Sequence, residues 1–317
     1  MLSYLARRAV YTVPILIGVS LVCFALVHIA PGDPLVSVLP PDASADLQKM
    51  MLAIYGFDRP YAEQFAKWIW RALHGDLGSS IATGRPVAEE VLKAVGNTLR
   101  LAVVATFVGF LFGSLFGFVA GYFRDSWIDK LASALSVFGV SVPHYWLGMV
   151  LVIIFAAELG WLPPTGAGPG GSSEWEWDWD HLRHMVLPAL TMSVIPMGII
   201  ARTVRALVAD ILAQEFIVGL RAKGLGDRGV FLHVAKNAAP TALAVMGLQL
   251  GYLLGGSILI ETVFAWPGTG FLLNAAIFQR DLPLLQGTIL VLALFFVLLN
   301  LGVDVVQTAL DPRIERS

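Results

Sequence analysis

The sequence predicts an all-α polytopic membrane protein, with six transmembrane helices and a folded extracytoplasmic segment after the first. Three observations carry that expectation. The chain is 57% hydrophobic but only 14% charged, where a soluble domain carries about 25% charge. Its apolar residues are bunched into runs rather than spread at strand or helix period. Five runs, 9–30, 101–122, 131–157, 240–260 and 282–303, contain no Asp, Glu, Lys or Arg. Each is about 20 residues or longer, enough at about 1.5 Å per residue to cross a hydrocarbon core of about 30 Å.

The elements follow in chain order. Residues 1–30 hold Arg7 and Arg8 and then an uncharged run. That run exceeds the roughly 7–15 apolar residues of a signal peptide, so an uncleaved first span is expected. Residues 31–98 form the folded outer segment. Pro31-Gly32-Asp33-Pro34 turns the chain out of the membrane, and Asp46 to Leu73 alternates as two short helices. His74-Gly75-Asp76-Leu77-Gly78 breaks that pattern, and Thr83-Gly84-Arg85-Pro86 precedes another helix.

A five-helix core occupies 99–317. Its run at 131–157 is interrupted only by Pro143 and His144. The loop from Gly160 to about His184 begins rich in Pro and Gly, then alternates Trp175, Trp177 and Trp179 with Glu176, Asp178 and Asp180. An aromatic belt at headgroup depth accounts for this pattern; an acidic, aromatic surface for an outer partner is the sharper alternative. The run 185–201 is short, and Arg202 can extend it by reaching to the interface. A loop at about 202–239 carries Arg202, Arg205, Arg221, Lys223, Arg228 and Lys236.

Positive charge orients the chain. With both termini inside, the inner segments hold Arg7, Arg8, Arg124, Lys130, the six residues of the basic loop, Arg313 and Arg316. The two short outer loops hold only Arg183 and Arg280. The first outer segment is longer than the ~60 residues to which the rule applies. A net charge of −2 says nothing about nucleic acid and no basic tail suggests it, and Cys23, the only cysteine, permits no intrachain disulfide.

Motifs for chemistry on this chain fail one by one. A P-loop needs Gly before its Lys; the six lysines follow Gln48, Ala66, Leu92, Asp129, Ala222 and Ala235. Gly224-Leu225-Gly226-Asp227 matches a string of intramembrane aspartyl proteases, whose carboxylate must face a second one inside the membrane. Asp227 instead sits among Arg221, Lys223 and Arg228. His181 and His184, one helical turn apart, could hold a metal, but solvated belt histidines are the expected case. Asp304 in the last span is a candidate by default, and its closeness to Asp311-Pro312-Arg313 favours packing over a proton relay.

The string Arg221-Ala222-Lys223-Gly224-Leu225, then Lys236-Asn237-Ala238 and Gly247-Leu248-Gln249, resembles the cytoplasmic coupling loop of permeases in binding-protein-dependent ABC importers of the dipeptide, oligopeptide and nickel class. The likeness runs along nearly the whole chain. It includes Ala30-Pro31-Gly32-Asp33-Pro34, Gly56-Phe57-Asp58-Arg59-Pro60, Gly75-Asp76-Leu77-Gly78 and Gly160-Trp161-Leu162-Pro163. Further on it takes in Leu187-Pro188-Ala189-Leu190, the stretch from Glu261 to Gly268, and Leu310-Asp311-Pro312-Arg313. Gly219 and Leu220 stand where the family carries two small residues.

The resemblance implies a permease subunit for di- or oligopeptides, or for nickel, glutathione or another small solute, in a bacterial inner membrane. It implies no cofactor on this chain, ATP-Mg on two ATPase subunits, a second permease, an extracytoplasmic substrate-binding protein and surrounding lipid. It places coupling to the ATPases on Glu215, Arg221, Ala222, Lys223, Gly224, Leu225, Gly226 and Asp227. The residues agree independently. Two short helices joined at Gly224-Leu225-Gly226 make a compact elbow, because Gly permits tight-turn backbone angles, and Arg221 and Lys223 can meet acidic partners. An intramembrane enzyme is the disfavoured alternative.

Overall fold

Helices follow the apolar runs, but their ends and breaks follow local chemistry. The computed structural model describes residues 2–29, 39, 43–56, 58–171 and 175–310. Within the helices, the side chains of residues 2–9, 26–29, 55, 254–256 and 303–310 lie outside that description. The Pro31-Gly32-Asp33-Pro34 turn, Phe57, the Asp304 side chain and Asp311-Pro312-Arg313 therefore fall outside it too. The helices are α1 (Leu2–Ile29), α2 (Ala45–Tyr55), α3 (Tyr61–Leu73), α4 (Val87–Tyr122), α5 (Trp127–Ser141), α6 (His144–Leu151), α7 (Trp179–Leu212), α8 (Glu215–Ala222), α9 (Asp227–Val263), α10 (Thr269–Gln279) and α11 (Leu282–Leu310). A π-helical turn, Val152–Glu158, extends α6.

Three helical stretches are long and apolar enough to cross a membrane: Val87–Tyr122, Trp179–Leu212 and Leu282–Gly302. Two bent pairs raise the number to five. The run at 131–157 is not the single rod its composition suggests. Trp127–Ser141 and His144–Glu158 meet at 102°, because Pro143 has no N–H to carry the ladder onward and forces the residue before it out of the helical region. Val142 accordingly has φ −81° and ψ 129°. The pair Asp227–Leu253 and Ser257–Val263 bends by 52°. The first apolar run is helical throughout α1, and its described apolar stretch is Val10–Ala25.

The chain divides into two compact units, Met1–Thr98 with Pro267–Leu298, and Leu99–Trp266 with Leu299–Ser317. In the first unit the two short helices expected before Leu73 are α2 and α3. Ser44 caps α2 by accepting from Leu47 N at 3.2 Å, and Gly56 closes it at φ +73°. Asp76 then fastens the break after α3. It accepts from Arg71 Nε at 2.7 Å and Gly78 N at 2.9 Å, and these donors hold its carboxyl below the usual carboxylate range. Asp281, fully buried, accepts from Ser80 Oγ, Ala82 N and Leu284 N, so one carboxylate ties the loop before α4 to the start of α11. Thr98 Oγ1 accepts from Thr269 N at 2.9 Å and Asn97 Nδ2 donates to Pro267 O at 2.9 Å, which fixes the entry to α10.

The second unit is organised on α7. Gly109, Gly113, Gly117 and Gly121 recur every fourth residue along α4, a spacing that lines them on one face. A Cβ on Gly113 would lie 2.8 Å from Met197 O, on Gly117 2.5 Å from Ala201 O, and on Gly121 2.6 Å from Arg205 O. The α4 backbone therefore rests directly on α7. Gly198 does the same toward α5, where a Cβ would lie 2.7 Å from Ser136 O, and Gly148 of α6 accepts the Phe264 ring. In lipid, where apolar solvent removes the hydrophobic drive between helices, such close backbone approach supplies the packing energy.

Gly117→Val should therefore push α4 off α7. Overpacking costs about 1–3 kcal/mol, and a lower melting temperature of the purified protein in detergent is expected. Gly18→Ala, where the new Cβ would meet nothing within 4 Å, should melt like the parent.

Candidate docking elbow

Seven of the eight predicted site residues, Arg221 to Asp227, form the exposed turn between α8 and α9, while Glu215 lies at the opposite end of α8. Leaving α7, the chain passes Ala213 and Gln214 and enters the eight-residue α8. Ile217 points inward at 1% exposure and joins an apolar cluster with Val204, Val208, Ile211, Val230 and Val234. Leu220 and Leu225 pack against the same cluster. One anchored face thus fixes the elbow, while Val218 at 67% exposure, Arg221, Ala222, Lys223, Gly224, Gly226 and Asp227 face out.

The turn closes on its own backbone. Gly224 adopts φ +83°, a left-handed conformation that glycine enters without steric cost. Its N–H donates to Arg221 O at 2.9 Å, and the Leu225 N–H donates to Leu220 O at 3.1 Å. This is the paired 5→2 and 6→1 closure of a Schellman motif, with Leu225 and Leu220 in its apolar contact positions. Gly226 then caps α9, accepting from Gly229 N at 2.9 Å and Val230 N at 3.1 Å. A Cβ on Gly219, Gly224 or Gly226 would meet nothing within 4 Å, so small residues leave the outer surface low and open.

The charges have local work as well. Glu215 lies in the first turn of α8, Arg221 in its last, and Asp227 in the first turn of α9. Each sign complements the helix end it occupies. Asp227 is exposed, with the Tyr122 hydroxyl 3.5 Å from its Oδ1, a setting unlike the buried carboxylate pair of a protease. Beside it Phe118, Val119, Tyr122, Phe123, Arg228, Phe231 and Leu232 frame an apolar groove of about 520 Å³.

Three expectations need correction. The second helix of the elbow is not short: α9 runs 37 residues, because the basic segment after Gly226 continues without a breaker into the apolar run. Arg205 is not a free member of the basic island. It lies in α7, and its Nε and Nη2 each donate at 2.7 Å to the carboxylate of buried Asp129. His181 is not a solvated belt residue. It is buried, its Nδ1 lies 2.6 Å from Asp178 Oδ1 and its Nε2 3.0 Å from Pro169 O, so both ring nitrogens are occupied. Gly168 at φ +104° lets the preceding loop press onto that ring. The Asp129–Arg205 pair, 76 residues apart, had no signal in spacing, and neither did the anchoring role of Ile217.

The family model described as "Binding-protein-dependent transport system inner membrane component" matches residues 113–316. A second model, of the N-terminal part of such membrane components, matches residues 1–102. The chain is 38% identical over 315 residues to the glutathione transport system permease protein GsiC of Escherichia coli O6:H1, covering 99% of each. It is 37% identical over 336 residues to the dipeptide transport system permease protein DppB of Alkalihalophilus pseudofirmus, covering 99% of this chain and 100% of that one. A chain of the MetNI methionine ABC transporter, solved in inward-facing conformations, matches in fold with a TM-score of 0.57 at 18% identity, over 70% of this chain and 96% of that one.

Ile217→Ala should loosen the elbow by emptying its anchor, at a cost of about 2–5 kcal/mol. Trypsin cleavage after Arg221 and Lys223 should accelerate. Val218→Ala, on the exposed side of the same helix, should stay within about 0.5 kcal/mol and leave the cleavage rate unchanged.

Proposed function

The chain belongs to the inner-membrane components of binding-protein-dependent transport systems, and on that premise we propose that it is the permease subunit of an ATP-driven importer, forming the path for di- or oligopeptides across the cytoplasmic membrane. The dipeptide permease match over the full length supports the solute class. The match to a glutathione permease favours one further candidate, glutathione, itself a small peptide. The observation that carries the mechanism is the elbow: an outward, glycine-paved turn, braced from below by Ile217, Leu220 and Leu225.

In this reading α1 is the sixth span, both termini are cytoplasmic, and residues 31–98 lie outside. The elbow, within 202–239, seats in a groove of an ATPase subunit. Arg221 and Lys223 meet acidic groups or carbonyl oxygens there, Ala222, Gly224 and Gly226 let the surfaces close, and Glu215 and Asp227 hold the helix ends in register. Two ATPases bind ATP-Mg, since no lysine of this chain follows glycine. A second permease completes the path, and a substrate-binding protein delivers solute from outside. Closure of the ATPases moves the elbow as a rigid piece, and α8 and α9 pass that motion to α7, a switch between discrete arrangements.

Ala222→Trp tests docking without backbone strain, because residue 222 is helical and exposed. The variant should reach the membrane, fail to co-purify with the ATPases and lose uptake; Gly224→Trp should do the same with some added strain. Recovery of the intact complex with normal uptake would refute the docking role. Asp227→Asn, which keeps the first-turn position and removes only the charge, should retain nearly full transport.

The reconstituted complex should hydrolyse ATP faster with loaded than with empty binding protein, because a ligand shifts a conformational equilibrium only through unequal affinity for its states. Phosphate release measures this. Equal rates with a solute that is demonstrably transported would contradict the coupled mechanism.

A further inference from the structure

α3 exposes more apolar surface than a helix in a soluble domain does. Its apolar residues, Tyr61, Ala62, Phe65, Ala66, Trp68, Ile69, Trp70, Ala72 and Leu73, fall within an arc of about 200° at about 100° per residue, with Gln64, Lys67 and Arg71 opposite and Glu63 at its edge. Such an arc normally faces a core. Here none of the α3 side chains is buried. Gln64, Lys67, Trp68 and Arg71 line a cavity of about 550 Å³, shared with Phe24 and Asp76. The half-buried side carries Gln64, Phe65, Trp68, Ile69 and Ala72, the charged side chains of Glu63, Lys67 and Arg71 are exposed on a second side, and Leu73 at 76% exposure and Trp70 at 66% face out on a third, joined by Ala62 and Ala66.

Phe65 and Trp68 of the arc share an aromatic partner, and it fixes the depth of the helix. Both rest on Phe24 of α1, with ring centroids 5.4 Å and 6.3 Å away. Phe24 lies five residues before the end of α1 at Ile29, or about 7.5 Å along the helix axis. Interfacial helices sink their apolar side about 5–10 Å into the headgroup and acyl boundary. Below Phe24, α1 presents Val13, Ile17 and Leu21 outward, a surface suited to lipid tails. The exposed edge of α3 is therefore placed at the outer end of a lipid-facing helix, with Trp70 at the depth where indole rings collect.

We propose that α3 lies in the outer interface of the bilayer with Leu73 and Trp70 in the acyl boundary, so that lipid covers its exposed edge and steadies residues 31–98 on the membrane. The inference goes beyond the transport reading and rests on it at one point, that α1 spans the membrane. The test places single spin labels at Leu73→Cys, Lys67→Cys and Leu21→Cys, with buried Cys23 left in place, in the assembled complex in phosphatidylethanolamine/phosphatidylglycerol vesicles. Collision with oxygen, which partitions into lipid, is compared with collision with a water-soluble nickel chelate. The label at 73 should resemble that at 21, with an oxygen-to-nickel ratio several-fold above that at 67. A shielded label at 21 with a water-exposed label at 73 overturns the interfacial placement and leaves the transport reading intact. Protection at 73 that develops only on adding the binding protein also overturns it, in favour of a protein partner. Water exposure at 21 as well refutes the membrane reading of α1 from which the inference starts.

Discussion

The approach of α4 to the backbone of α7 is the contact on which the second unit depends. Gly109, Gly113, Gly117 and Gly121 leave no side chain between the helices, and carbonyl oxygens of Ser193, Met197, Ala201 and Arg205 take the vacated space. Lipid offers apolar side chains as good a home as a neighbouring helix does. What binds helices there is the density of contact that backbone-on-backbone packing allows. With α4 against one side of α7 and α5 against another through Gly198 and Ser136, α7 becomes a fixed post. Its last turns, Val204, Val208 and Ile211, then supply the apolar floor on which α8 sits. The elbow is held from its apolar side by that floor, which leaves Arg221, Ala222, Lys223, Gly224, Gly226 and Asp227 exposed.

Charge plays a narrower part than the composition of the basic segment suggests. Arg205 is bound to Asp129 by two parallel bonds of 2.7 Å, and Asp129 also accepts from Asp125 N and Ser133 Oγ. A buried carboxylate so fully satisfied pins the start of α5 to α7, and losing either partner would strand the other. Arg221 and Asp227 are helix-end charges before they are anything else. Lys223, the C-cap of α8, stands at the same helix end as Arg221, so its sign too complements the terminus it occupies.

Much of this architecture was legible in advance where a residue acts locally. Gly224 announces a tight turn and the charge-free runs the positions of the long helices, because each signal operates within a few residues of its effect. The break at Pro143 was visible as a residue but not as a 102° turn, since the angle depends on what the two halves pack against, Val194 near Gly139 and Phe264 near Gly148. The glycine ladder was present at four-residue spacing, yet an apolar run reads as lipid-facing until its partner is known. Asp129 with Arg205, and Asp281 with Ser80, join residues 76 and 201 apart. No periodicity carries such pairings. At the elbow the turn could be read and its brace could not: Ile217 differs from Val218 only in the direction it faces.

The self-closed turn has a consequence for recognition. Gly224 N–H and Leu225 N–H are already spent on carbonyl oxygens within the elbow, and the two loop glycines at the tip offer no side chains. At its glycines the tip offers a partner a silhouette, and side-chain donors come from the flanking Arg221 and Lys223. Silhouettes outlast sequence drift, because any substitution that preserves the bend and adds no bulk leaves the outline unchanged. On the proposed docking, one ATPase pair could serve several permeases whose membrane-embedded surfaces have diverged toward different solutes, with interchangeability following from the geometry of a single left-handed glycine.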